Sequence, residues 1–246
     1  GGHLPDAISA SKLSHYNPLE NIRCVNQLKE IREFREQLGN EILIVGWVEG
    51  PITEYIDLRK ATEASIDFCL DPASVEKTMD TIVESAIEFI TLQIKEGAHC
   101  IGIGDSFGSQ IGPDMYNQFA FNREKQLVDH IHNMGALAKL HICGNTEAIL
   151  PSIIKTGADI IDIDHLVPSM SVFKSLLGPG QVFCGKANPV SIIQDGTPEI
   201  IRQSVIDDSR EAQGRCIVSA GCEITPGTSI ENMHAFKTSA QTLFSS

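Results

Sequence analysis

The sequence predicts an α/β fold on a parallel sheet, closed as a barrel rather than laid out as a doubly wound layer. Three observations carry that prediction. From about residue 41 onward, short apolar runs alternate with helical segments, which is the pattern of repeated βα units. Most of the runs are rich in Ile, Val or Leu, as strands buried on both faces require. Residues able to do chemistry fall at the C-terminal ends of several runs, where a barrel gathers its functional groups. A dinucleotide-binding layer would need a glycine-rich turn between strand and helix. Gly102-Ile103-Gly104 lies inside a strand and lacks a third glycine at the required spacing.

Taken in order, an irregular segment over 1–17 precedes a leading helix within 18–40, whose stretch 20–38 is amphipathic and built from strong helix formers. Strands are expected at 42–48, 99–104, 136–142, 160–164, 181–184 and 216–220. Asp71-Pro72 sets an N-cap before a first-turn proline and starts a helix running to about Lys95. Gly112-Pro113-Asp114 is a weaker version of that signal. Thr197-Pro198-Glu199 repeats it for a helix ending near Gly214, and a helix over 230–244 closes the chain. The expectation is one barrel domain over 1–246, although only six βα units can be counted where a complete barrel has eight. A barrel short of units leaves an exposed parallel edge, which a homodimer or additional N-terminal chain would cover.

Composition narrows the function. With 246 residues, 42% hydrophobic and 21% charged, the chain can bury one sizeable core. No apolar run approaches a membrane span, and the start carries no signal-peptide pattern. Seven cysteines, odd in number and irregularly spaced, argue against a disulfide framework and for a reducing cytoplasm. A net charge of −13 argues against nucleic acid as a partner, since phosphate binding wants a basic face.

The chemistry concentrates in two places. Leu140-His141-Ile142-Cys143-Gly144 closes one expected strand and Ala220-Gly221-Cys222-Glu223 closes another. A His and a Cys two positions apart in extended chain face the same way. With Cys222 they could make three ligands of a tetrahedral zinc site whose fourth position stays open, the arrangement of a catalytic zinc. The competing reading is that these are buried core cysteines, as Cys24, Cys69, Cys100, Cys184 and Cys216 are expected to be core or inert surface.

From residue 41 to the end, the chain resembles the uroporphyrinogen decarboxylase superfamily. The resemblance is carried by Gly46-Trp47-Val48-Glu49-Gly50-Pro51, Gly104-Asp105-Ser106, His141-Ile142-Cys143-Gly144-Asn145-Thr146, Gly185-Lys186-Ala187-Asn188-Pro189 and Gly221-Cys222-Glu223-Ile224-Thr225-Pro226, followed by Glu231-Asn232. It implies a (β/α)₈ TIM barrel of the uroporphyrinogen decarboxylase type, lacking here the first one or two βα units. Decarboxylases of the family are similar to one another in an Arg-rich N-terminal segment, an early catalytic Asp and a His in the last strand's turn. Here the first two features are absent and Cys222 occupies the His position. The zinc-dependent branch, methyltransferases that work with corrinoid proteins, is the better match. Its H-x-C and distant Cys pattern maps onto His141, Cys143 and Cys222.

That branch implies Zn²⁺ as cofactor, a corrinoid carried by a partner protein, and a small methyl donor or acceptor (thiol, amine-derived or methyl ether). A zinc-bound thiol is deprotonated, and zinc as Lewis acid can draw on an ether oxygen. Asp129-His130-Ile131-His132-Asn133-Met134-Gly135 has the wrong spacing for a cobalamin-binding D-x-H-x-x-G and reads as a polar helix end. Glu49 and Asp105 close strands on the same rim and are the candidate catalytic acids, as fourth ligand, partner to His141 or proton carrier; helix caps or solvated rim acids are the alternative. Asp164 is the residue of Asp162, Asp164 and His165 best placed to reach the metal. Trp47, Lys186, Asn188 and Glu223 are the candidate substrate contacts, with core packing for Trp47, turn formation for Asn188 and a salt bridge for Glu223 as alternatives. Two other functions stay open: a metal-free decarboxylase of a polycarboxylate, and a non-catalytic barrel fragment.

Overall fold

The computed structural model describes residues 4–244. The expected irregular N-terminal segment contains one short helix, α1 (Ala7–Ala10), capped by Asp6, whose carboxylate accepts from the Ser9 N–H at 2.6 Å. It is tied to the body of the protein: the Leu4 N–H donates to the Leu58 carbonyl, and Arg59 donates to the Leu4 carbonyl at 2.7 Å. Helix α2 (Ile22–Leu38) begins two residues later than expected, because Pro18–Glu20 winds as a 3₁₀ turn and Asn21 supplies the cap.

Then follow β1 (Val45–Glu49), α3 (Pro51–Arg59), α4 (Ala61–Leu70), α5 (Pro72–Lys95) and β2 (Cys100–Gly104). Next come α6 (Gly112–Met115), a π-helical stretch Tyr116–Phe121, α7 (Asn122–Asn133), β3 (Leu137–Ile142), α8 (Leu150–Lys155) and β4 (Ile160–Ile163). The chain closes with β5 (Val182–Ala187), α9 (Pro198–Glu211), β6 (Cys216–Ala220) and α10 (Ile230–Phe244). All six expected strands form. Strand β1 starts three residues late, leaving Ile42 and Leu43 exposed before it, and β5 runs three residues past its apolar run because Gly185, Lys186 and Ala187 pair with β6. Helices α3 and α4 were not foreseen. They are separated by Lys60, which stands at φ +75°, and welded by the buried Arg59–Asp67 ion pair at 2.6 Å, to which Tyr55 adds a hydroxyl bond.

The strands pair in parallel in chain order, with β1 and β6 at the two ends. Residues on one face alternate with those on the other. The outer face, with Val48, Ile101, Ile103, Leu140, Ile142, Ile161 and Phe183, belongs to the main core beneath the helices. The inner face carries Trp47, Glu49, Lys139, His141 and Asp162, whose register runs Glu49–Gly104–His141–Asp162 straight across four strands. A flat sheet would hold β3 and β6 about 14 Å apart, three strand spacings. Yet Cys143 Sγ and Cys222 Sγ, just beyond those strands, stand 3.6 Å apart. The sheet is therefore curled, with the inner face concave, as in a barrel. No described helix is long and apolar enough to cross a membrane.

Candidate metal centre

The concave face sets the site. Lys139, His141 and Cys143 alternate along β3 and its exit, so all three side chains point inward. Cys222 is brought to them by Gly221: a Cβ there would stand 2.3 Å from the His165 backbone nitrogen, so only glycine lets the end of β6 press against the turn after β4. The result is convergence. His141 Nε2 lies 3.1 Å from Cys143 Sγ, the two sulfurs are 3.6 Å apart, and the ligand atoms of all three residues lie within 4.8 Å of one another.

These separations fit a metal rather than a disulfide, whose sulfurs would be about 2.05 Å apart. Ideal tetrahedral zinc, with bonds of about 2.3 Å to sulfur and about 2.05 Å to nitrogen, separates two sulfurs by about 3.8 Å and nitrogen from sulfur by about 3.6 Å. The donor set also fits chemically, because two soft thiolates and an imidazole suit zinc. His141 is oriented for it: Nδ1–H donates to the Asp162 carbonyl at 3.2 Å, with the Asp162 carboxylate 3.5 Å away, which turns Nε2 toward the sulfurs.

The surroundings tune the three groups differently. Burial opposes a charged His141, but hydrogen bonds to Asp162 and Cys143 push its pKa up to about 11. The His141 hydrogen bond holds the Cys143 thiol below its usual range, and Ser106 Oγ, 3.5 Å away, adds to this. Burial pushes the Cys222 thiol up. Asp162 also pairs with Lys139 at 2.7 Å beneath His141, so its charge is compensated.

The other sequence candidates have distinct fates. Glu49 shares the inner face with His141, across the side-chain-free Gly104, and accepts from Trp47 Nε1–H at 3.0 Å. Burial raises its pKa. Asp105 follows β2 by one residue and so has the opposite parity. It is fully buried, accepts from the Thr53 and Ile52 N–H groups at the start of α3, and faces Glu124, so its carboxylate is engaged away from the sulfur cluster. Asp164 accepts from the Gly144 N–H at 2.8 Å and the Leu166 N–H at 2.9 Å, fixing the turn that carries Cys143. Lys186 donates to the Val167 and Pro168 carbonyls and pairs with Glu211, while Asn188 caps the turn over Pro189–Gln194. The Glu223 side chain is exposed; its backbone N–H is what reaches Cys222.

Sequence reasoning passed over Ser106, Lys139, Gln93 and Glu124. The K-x-H-x-C alternation was a readable signal for Lys139. Gln93, buried on α5, accepts from the Trp47 N–H and donates to the Trp47 carbonyl, and this long-range pairing has no local signature. Trp47 lies on Gly102 and Gly104: a Cβ at either would fall within 2.2–2.6 Å of the indole, which explains those two glycines. A cavity of about 510 Å³, lined by Trp47 and Glu49 among others, opens beside β1.

Comparison with known proteins agrees with this architecture. A family model described as uroporphyrinogen decarboxylase matches residues 3–243. Two curated proteins named uroporphyrinogen decarboxylase, from a Synechococcus species and from Parasynechococcus marenigrum, are each 30% identical, over 96% and 89% of this chain. The chain spans 68% and 63% of their lengths. A solved methyltransferase from Methanosarcina mazei superposes over 100% of this chain and 72% of its own, with TM-score 0.86 and 24% identity. A B12-independent methionine synthase from a Shewanella species, in complex with selenomethionine, covers 88% of this chain and 66% of its own, with TM-score 0.66 and 15% identity. At these identities the structural likenesses speak to the fold, which is of the barrel type.

Proposed function

The chain belongs to the uroporphyrinogen decarboxylase family, and within that family we propose that it is a zinc-dependent methyltransferase. It moves a methyl group between a small substrate (thiol, amine-derived or methyl ether) and the corrinoid of a partner protein. One observation carries this reading: His141, Cys143 and Cys222 offer three soft ligand atoms within 4.8 Å of one another on a concave sheet. Three protein ligands leave a tetrahedral ion one position for substrate. Zinc, when bound there, supplies the Lewis acidity that keeps a thiol deprotonated at neutral pH or draws on an ether oxygen.

The chain's own residues do the rest. Asp162 orients His141, Asp164 fixes the turn bearing Cys143, and Ser106 faces the Cys143 sulfur. Glu49, half-buried and opposite His141, is the group best placed to accept the proton a thiol gives up. Asp105 serves the site indirectly, through the start of α3 beside Glu49.

A second reading, a metal-free decarboxylase of a polycarboxylate, is favoured by the names of the curated relatives. Against it, the cavity beside the site is lined by carboxylates and by no Lys, Arg or His among the described residues, which would repel a polyanion. Metal analysis with an activity assay separates the two. The methyltransferase reading predicts about one zinc per chain, with Cys222→Ser losing both metal and methyl transfer. A metal-free Cys222→Ser variant that keeps full activity, or carbon dioxide release from a porphyrinogen without zinc, refutes it.

A further inference from the structure

The cavity beside β1 has no part in the ligand set, yet it reaches the same face. It encloses about 510 Å³, the size of a small-molecule site. Trp47 and Glu49 join it to the metal centre, because Glu49 stands across Gly104 from His141 on the inner face. Two kinds of side chain distinguish its lining. Aromatic rings come from Tyr16, Trp47 and Phe89, and carboxyl groups from Glu49 and Glu54. Among the described lining residues there is no Lys, Arg or His to neutralise either acid.

Each feature points the same way. Aromatic faces attract organic cations, Trp most strongly, and half-buried carboxylates with no basic side chain in the cavity lining favour a ligand that brings a positive charge. Glu49 and Glu54 also repel each other: burial first, then the neighbouring acids, raises the pKa of Glu54. A bound cation relieves that repulsion, and an anion would add to it. The wall behind is fixed, since Gln93 clamps the Trp47 backbone and Gly102 and Gly104 bed its ring.

We infer that this cavity is the substrate pocket and that it selects a ligand carrying an ammonium group, so that the methyl acceptor or donor is a cationic aminothiol or aminothioether. The inference rests on the methyltransferase reading for the sulfur and on the cavity alone for the charge. Three thiols of equal chain length and different charge test it on the zinc-loaded protein by titration calorimetry: 2-aminoethanethiol, 2-mercaptoethanol and 2-mercaptoethanesulfonate. The aminothiol is expected to bind about tenfold or more tighter than the neutral thiol, with the sulfonate weakest. Glu54→Gln should bring the aminothiol and the neutral thiol to within about twofold of each other. Equal binding of the three thiols, or a preference that survives Glu54→Gln together with Glu49→Gln, overturns the inference and leaves the zinc reading standing. In metal-free protein, choline is compared with its uncharged isostere 3,3-dimethylbutan-1-ol. A choline preference that Glu54→Gln removes upholds cation selection even if no zinc is ever found, whereas no preference between the two overturns it.

Discussion

On its outer face the sheet carries Val48, Ile101, Ile103, Leu140 and Ile161, all buried under helices, whereas the inner face of the same strands carries Trp47, Glu49, Lys139, His141 and Asp162. The outer face is held by apolar burial, which is non-directional and tolerant of small shifts. Its inner counterpart is held by directed bonds, among them Asp162 to Lys139 and His141, Asp164 to Gly144, and Gln93 to Trp47. Stability and chemistry are thereby assigned to opposite sides of one element, so they should respond separately to substitution.

The largest expected effect on stability comes from the outer face. Ile103→Ala empties a fully buried site and should cost about 2–5 kcal/mol in urea denaturation while zinc content stays unchanged. If it strips the metal from protein that is still folded, the two faces are not separable. The converse test is Asp164→Ala, which removes the anchor of the Cys143 turn. Zinc affinity, read by chelator competition, should fall about 10–100-fold, while the metal-free protein loses only about 1–3 kcal/mol, the cost of leaving the Gly144 and Leu166 N–H groups without their acceptor.

A smaller effect sharpens the contrast at the β2 exit, where Asp105 and Glu124 are fully buried together and the Tyr116 hydroxyl donates to Glu124. Burial raises both carboxyls, Asp105 from 3.8 to about 6. The folded pair thus keeps a proton that the unfolded chain releases, so its contribution to stability declines as pH rises from about 4 through about 6, by at most about 1.4 kcal/mol per pH unit. Glu124→Gln should flatten that decline, measured as the difference from wild type in denaturation midpoints at about pH 3.5 and about pH 6.5, values chosen to bracket the window. A variant with the wild-type slope would show that the pair does not hold the proton.

Glu49 and Asp105 also show what the sequence could and could not reveal. Both were legible as acids at strand ends, but their fates differ by one position of register. Glu49 pairs with Gly104 and faces inward, while Asp105, one residue beyond Gly104, faces the start of α3. Strand parity is easy to read within one run; alignment between runs is not, because it depends on pairing across dozens of residues. For that reason the i, i+2 relation of His141 and Cys143 was readable directly, whereas Cys222 could be offered as third ligand only from its place at another strand's end, and the family resemblance added the pattern that joins the three. The six strands followed from their apolar runs; β5 outran its run by three residues, through backbone pairing with β6, and β1 by one, at Glu49. Helix α3 went unseen because the support for its start is distant, Asp105 just past β2 accepting from the Thr53 N–H. Helix α4 went unseen because the Arg59–Asp67 pair that joins it to α3 spans the break at Lys60, where no turn residue marks it.

Zinc-edge X-ray absorption on the purified protein tests the central claim most directly. The geometry at His141, Cys143 and Cys222 predicts two sulfur neighbours at about 2.3 Å and a nitrogen at about 2.0–2.1 Å, with one sulfur lost in Cys222→Ser. A shell made only of oxygen and nitrogen, or the same two sulfurs in the Cys222→Ser variant, would contradict it.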